Sequence, residues 1–182
     1  MMTERIVFLN KFIMEPKKII LCPNPDRDTG MKATKSAIAI LRDMGFQTVV
    51  CSPFRDPKTD AFGDLPSKPL LPELKGADLV ITLGGDGTIL HVAVTLRDHP
   101  IPIIGVNFGG KGFLAGLEDD ELDILLEIAD GQYTISRRMM LDVELVRNER
   151  TICTQSVLND VVIHGGHVDC IGVTAYGDGV PI

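Results

Sequence analysis

Several features that would assign a protein to a class are scarce or missing in this 182-residue sequence. It has no tryptophan, and aromatic residues make up only 5% of it. Its four cysteines are widely scattered, without the CxxC spacing typical of zinc sites or of a disulfide framework. We therefore interpret them as reduced, buried thiols of a cytoplasmic protein, and we predict no metal site built from protein ligands.

Positive charge and long apolar segments are also in short supply. The net charge of −7 argues against a broad binding surface for nucleic acid or for an anionic membrane, although a local site can still bind a small anion. The apolar run IVFL near the N-terminus is broken at once by Asn10 and Lys11. It predicts neither a signal peptide nor a membrane span.

What is present, at 45% apolar residues, is a set of short apolar runs that alternate with segments of helical periodicity. Strands followed by amphipathic helices are typical of parallel βαβ units, so we predict an α/β, doubly wound, Rossmann-like domain over residues 1–135. Residues 52–69 carry proline, glycine and charge without periodicity, and we predict a mobile surface loop there. The predicted strands are residues 18–22, 47–51, 77–83 and 101–107, and the predicted helices are residues 31–44, 88–97 and 119–129.

The pattern changes near residue 136. The segments LDVELV, SVLNDVVI and IGVTA alternate apolar and polar residues, which predicts an antiparallel, β-rich second domain over residues 136–182. So few strands cannot close a core of their own. We therefore expect this domain to be incomplete and the sequence to be truncated at its C-terminus.

The stretch ITLGGDGTIL places the carboxylate of Asp86 among three glycines at the end of an apolar run. Glycine-rich turns between a strand and a helix cradle phosphate with backbone N–H groups, and a threonine hydroxyl can add a donor, so we predict ligand contacts at Gly84, Gly85, Gly87 and Thr88. A carboxylate repels phosphate, which indicates that Asp86 acts on another part of the substrate. The alternative is a tight strand-to-helix turn in which Asp86 is only the helix N-cap.

Farther along the chain, the polar residues Asn159 and Asp160 interrupt an apolar run that we interpret as a strand. Two buried and unpaired polar groups would be costly, whereas a ligand rich in ribose hydroxyls would satisfy both. The alternative is a bulge or a strand end at which both side chains face water.

The GGDGT stretch is similar to the signature of a superfamily that holds NAD kinases, diacylglycerol and sphingosine kinases and phosphofructokinases. Further blocks resemble those of bacterial NAD kinases in order and separation, and the resemblance runs from about Lys18 to the C-terminus. By this resemblance the chain is identified as a member of that family. These blocks are residues 105–107, 109–114, 138–141 and 158–163.

The resemblance implies that Asp86 is the catalytic aspartate, Gly87 a contact to the dinucleotide and Phe113 a wall of the adenine pocket. It further implies that Asn159 and its neighbour Asp160 hold NAD. The family commonly has glutamate where this chain has Asp160, and an apolar residue at Lys111.

The implied activity is phosphorylation of the adenine-ribose 2′-hydroxyl of NAD to give NADP. The implied donor is ATP with Mg²⁺ or another divalent cation, with polyphosphate left open, and the implied enzyme is a homo-oligomer, a dimer or a tetramer. Two alternatives stay open: a lipid kinase of the diacylglycerol or sphingosine type, and a non-catalytic dinucleotide-binding protein. We expect the 182-residue chain alone to be nearly inactive. We also expect Asp86→Asn to lower turnover while the loop keeps its shape and its affinity for NAD.

Overall fold

The computed structural model describes residues 18–54, 61–108, 112–129, 131–164 and 171–182. The strands are β1 (Lys18–Pro23), β2 (Gln47–Ser52), β3 (Ser67–Pro69), β4 (Leu79–Gly84), β5 (Ile103–Asn107), β6 (Leu117–Glu118), β7 (Met140–Arg147), β8 (Arg150–Leu158), β9 (Tyr176–Gly177) and β10 (Val180–Pro181). The helices are α1 (Lys32–Asp43), which follows a 3₁₀ turn at Thr29–Met31, then α2 (Leu70–Glu73), α3 (Asp86–Thr95) and α4 (Ile124–Ala129).

Six strands form one parallel sheet in the order β3-β2-β1-β4-β5-β6. This order confirms the predicted doubly wound α/β fold. The chain builds the sheet outward from β1 in one direction and then, from β4, in the other. The strand order therefore reverses between β1 and β4, and the crevice at the carboxyl ends of strands at such a switch point is where ligands bind in open α/β sheets.

The core lies on both faces of this sheet because the strands alternate their side chains. Ile19 and Leu21 of β1 pack with α1 and α4 on one face. Ile20 and Cys22 pack with α2 and α3 on the other. No helix in the described ranges is both long enough and apolar enough to cross a membrane.

Two predictions for the first 135 residues need correction. Part of the predicted surface loop is ordered structure, because Phe62 is buried and residues 67–69 pair in parallel with β2 as an edge strand. Residues 55–60 of that loop lie outside the described residues. The helix predicted from residue 119 begins only at Ile124, since the Glu121 side chain accepts a hydrogen bond from the backbone N–H of Glu118 and turns the chain first.

Residues 140–181 contribute antiparallel hairpins, as the alternating pattern predicts. Strands β7 and β8 pair through a two-residue turn, Asn148 and Glu149, both with positive φ as such tight turns require. Strands β9 and β10 form a second, shorter hairpin. The predicted strand at residues 171–175 is wrong, since pairing there begins only at Tyr176. The two-stranded sheets are separate from the six-stranded one, and the domain boundary near residue 136 stays a prediction.

Candidate active site

Three chain segments meet at the carboxyl edge of the parallel sheet, next to the switch point. The backbone N–H of Asn24, just after β1, donates to the carbonyl of Leu83 at 2.7 Å. The N–H of Phe108, just after β5, donates to the carbonyl of Gly84 at 3.0 Å. These bonds continue the strand pairing past the ends of β1 and β5, so the GGDGT loop emerges between two fixed neighbours.

The glycines of the loop differ in how much space a side chain would have at each position. A Cβ on Gly84 would press against the Oγ1 of Thr88 and lie 3.0 Å from the Cβ of Asn24, so packing inside the protein excludes a side chain there. A Cβ on Gly85 or Gly87 would find no described atom within 4 Å. Packing therefore explains Gly84, whereas the space beside Gly85 and Gly87 is open.

Asp86 is the first residue of α3, and Gly85 is the N-cap, so the alternative in which Asp86 serves only as N-cap is wrong. A negative charge in the first turn is favoured by the helix dipole. The carboxylate bonds across the site instead. Its Oδ2 accepts from the backbone N–H of Phe113 at 2.9 Å, and its Oδ1 accepts from that of Leu114 at 3.2 Å.

The segment that carries Phe113 packs closely against Asp86 of α3 and Asn107 of β5. A Cβ on Gly112 would lie 3.2 Å from Asp86 Oδ1 and 3.3 Å from the Cγ of Asn107, so a side chain there would crowd both groups. Asn107 is buried and donates to the Glu118 carboxylate at 3.0 Å. The Phe113 ring itself is 88% exposed, which leaves its faces available to a ligand.

The structure thus brings Asp86, Gly84, Gly85, Gly87, Thr88 and Phe113 together at one edge. The other predicted pair is different. Strand β8 ends at Leu158, so Asn159 and Asp160 lie past its end and are exposed, and Asn159 has φ +88°. This matches the alternative of a strand end that faces water. Among the described residues, neither side chain forms a hydrogen bond with the GGDGT group, and Lys111 lies outside them.

The sequence does not predict that Asn24, Gly112 and Asn107 help to position the GGDGT loop and the segment that carries Phe113. The Asn24 side chain donates to Thr88 Oγ1 at 3.5 Å, a long bond, and accepts from the Asp26 N–H at 3.0 Å. The available signal was its place after β1, because the carboxyl ends of adjacent parallel strands share an edge.

The thiols of Cys22 and Cys51, in the parallel sheet, have low reactivity. Burial raises the pKa of the Cys22 thiol well above its usual range, and the neighbouring Cys51 raises it further. Burial and the nearby Glu73 carboxylate raise the pKa of Cys51 to about 12. Both therefore stay protonated and neither is a nucleophile at neutral pH. Within the part of the chain that the structure describes, no group of three or more His, Cys, Asp or Glu side chains could hold a metal ion.

Known proteins resemble this chain at the level of family and fold. Residues 19–133 match the family model of the ATP-NAD kinase N-terminal domain. A protein named NAD kinase from Syntrophobacter fumaroxidans is 46% identical over 108 residues, which is 59% of this chain and 38% of the relative. One from Acetivibrio thermocellus is 31% identical over 155 residues, 85% of this chain and 53% of the relative.

A solved structure of yeast NADH kinase complexed with NADH superposes with a TM-score of 0.57 at 20% identity, covering 77% of this chain and 46% of that one. At this identity the superposition shows a shared fold. The chain spans between about a third and about a half of the length of the curated relatives named above. Because the family model covers well over half of the chain, the protein belongs to the NAD kinase family.

Proposed function

We propose that the protein transfers the terminal phosphoryl group of a nucleoside triphosphate to the adenine-ribose 2′-hydroxyl of NAD, giving NADP. The observation that carries this proposal is the Asp86 carboxylate at the N-terminus of α3, between glycines and beside the switch point of a parallel sheet. Backbone N–H groups at a helix N-terminus suit phosphate, whereas a carboxylate suits a hydroxyl. The combination favours a reaction in which a phosphate meets a hydroxyl.

The open space beside Gly85 and Gly87 supports a phosphate site there. Gly85 has φ −114°, a conformation that other residues adopt, and a Cβ would clash with no described atom. The absence of a side chain is therefore best explained by a ligand that approaches the backbone closely. Thr88 is buried, and its hydroxyl lies in the first turn of the same helix.

Asp86 suits the role of general base in this transfer. The ribose oxygen attacks the terminal phosphorus, and its proton passes to the carboxylate. The bond from that phosphorus to the bridging oxygen breaks, and its electron pair stays on the oxygen of the leaving nucleoside diphosphate. A carboxylate offers about four lone-pair positions, and the N–H groups of Phe113 and Leu114 use two of them. The remaining positions are enough to accept the hydroxyl.

The other predicted contacts to the dinucleotide are part of the same proposal. We propose that the exposed Phe113 ring contacts the adenine, and that Asn159 and Asp160 bind hydroxyls of NAD. A Mg²⁺ ion brought in with the triphosphate would neutralise part of the phosphate charge. A homo-oligomer stays a prediction, which light scattering would measure.

The test is a coupled assay for NADP formation by the protein as its gene encodes it, with ATP, other triphosphates and polyphosphate as donors. We expect ATP- and NAD-dependent turnover. Phosphorylation of diacylglycerol or sphingosine in place of NAD would favour the lipid kinase. NAD binding without any product would favour the non-catalytic protein.

A further inference from the structure

Asp86 has bonds that the proposed chemistry does not need. A general base requires one oxygen facing a hydroxyl, yet both carboxylate oxygens accept from consecutive backbone N–H groups, at 2.9 Å from Phe113 and at 3.2 Å from Leu114. These donors lie 27 and 28 residues further along the chain. Hydrogen bonds to an ionised acceptor are about twice as strong as neutral ones, so this is a substantial tie between α3 and a distant loop.

The loop is shaped to receive this carboxylate. A side chain on Gly112 would come within 3.2 Å of Asp86 Oδ1, so the glycine permits the two N–H groups to reach the acceptor. Beyond the loop, the backbone N–H of Gly116 donates to the carbonyl of Gly105 at 3.1 Å. The backbone at residues 113 and 114 is thus fixed, while the ring of Phe113 is left in solvent.

We propose that Asp86 is, in addition to its part in the reaction, the positioning residue for Phe113, so that one carboxylate sets both the proton acceptor and the wall against which a flat aromatic base packs. This rests on the proposed function for the identity of the base, although the tie itself does not. The loop's position then depends on the charge of residue 86. An asparagine amide would turn an N–H donor toward one of the two N–H groups, and that bond would be lost.

This revises the expectation, drawn from the sequence, that Asp86→Asn leaves the loop and the dinucleotide affinity unchanged. We now expect the variant to lose affinity as well as turnover. A net loss of one hydrogen bond to a charged group corresponds to roughly 10- to 100-fold weaker binding of NAD. The loss should depend on the Phe113 ring, because the ring is what the tie positions.

The first measurement needs no substrate. Amide hydrogen exchange at residues 113 and 114, followed by NMR, should be roughly tenfold faster in Asp86→Asn than in wild type. Gly112→Ala, which keeps the charge and disturbs the tie from the loop side, should act in the same direction. Asp120→Asn removes one charge from an exposed turn six residues beyond Leu114 in the chain and should leave both rates unchanged. Equal exchange in Asp86→Asn and Asp120→Asn would overturn the proposal.

The second measurement is a double-mutant cycle on NAD affinity in the protein as its gene encodes it. With Phe113 present, Asp86→Asn should weaken binding; in a Phe113→Ala background the same change should cost little further. Fully additive losses would show that the two side chains act independently and would overturn the coupling. If no NAD binding or NADP formation is found in wild type, the proposed function fails, while the exchange rates still decide on the tie.

Discussion

Apolar side chains are mostly buried in the described part of residues 18–129, whereas many of them are exposed in the hairpins at 140–181. In the first region the strands and helices bury theirs on both faces of the sheet, and Ile81 in β4 is fully buried. In the hairpins large apolar side chains stay in solvent, and Ile152 in β8 is 59% exposed. The difference teaches where the site obtains its precision. The GGDGT loop and Phe113 rest on the packed region, whereas Asn159 and Asp160 are exposed and follow a strand that is exposed over its first six residues and half-buried over its last three.

The sharpest test of this comparison is the same substitution in each region. We expect Ile81→Ala to lower the free energy of unfolding by about 2–5 kcal/mol, because it leaves a cavity in the core. Ile152→Ala should change it by less than about 0.5 kcal/mol, as exposed sites do. Urea denaturation measures both. Equal effects would mean that the hairpin is packed in solution much as the sheet is.

Within the packed region, two adjacent glycines offer a finer test. Gly84→Ala would force a Cβ against Thr88 Oγ1 and Asn24, and we expect it to destabilise the fold by about 1–3 kcal/mol. Gly85→Ala fills open space and should cost at most about 1 kcal/mol, the loss at an N-cap. Its larger effect should be on affinity for the triphosphate. Thermal unfolding and donor titrations would separate the two, and the reverse ranking of stabilities would contradict the packing.

The ion pair between Lys18 at the start of β1 and Glu73 of α2 predicts a dependence of stability on pH. Hydrogen bonds from Lys68 and then Lys18 lower the pKa of the Glu73 carboxyl. Its contribution to stability is therefore present above the pKa of the unfolded chain and is lost as the pH falls through the lower pKa of the folded state. Glu73→Gln should destabilise at neutral pH, with a difference from wild type that shrinks in acid. Asp64→Asn, in an exposed pair with Lys35, is the control and should change stability less. A difference that grows in acid would contradict the assignment.

The smallest effect concerns thiol reactivity. The interpretation of all four cysteines as buried is wrong for Cys153 of β8, which is exposed, whereas Cys22 and Cys51 are buried and have raised pKa values. Cys170 lies outside the described residues. A thiol reagent at mild alkaline pH should modify Cys153 in the native protein and the two sheet cysteines only on unfolding. Peptide mapping after a timed reaction measures this. Early modification of Cys22 would show that the sheet opens more readily than its burial implies.

How well the sequence predicts each region follows from the same contrast. Strands β1, β2, β4 and β5 are predicted within about two residues because each contains a short apolar run and is buried over at least its last three residues. Strand β3 is missed because its residues, Ser67–Pro69, are exposed and pair through the backbone alone. The run at 171–175 alternates as a strand would, yet it lies outside the described strands and only leads into the short hairpin, where the Ile182 N–H donates to the Ala175 carbonyl at 3.0 Å. Alternation alone does not supply a strand partner.

The site divides in a similar way. The position of the GGDGT loop follows from the sequence because a strand and a helix must flank it. The contacts of Asp86 with residues 113 and 114 could not be predicted, since periodicity carries no information on which backbone N–H groups a side chain meets 27 residues away. The apolar run around Asn159 and Asp160 predicts that both belong to a strand, whereas β8 ends at Leu158 and Asn159 has a positive φ.

The most direct test of the central claim is the saturated turnover of Asp86→Asn. Steady-state NADP formation by the protein as its gene encodes it would be measured at saturating NAD and ATP, so that any loss of affinity is removed from kcat. We predict a fall of about 10²–10⁴ in kcat, the usual contribution of a general base, with Asp120→Asn unchanged. A variant that keeps near-normal saturated turnover would contradict the role of Asp86 as the group that accepts the hydroxyl proton.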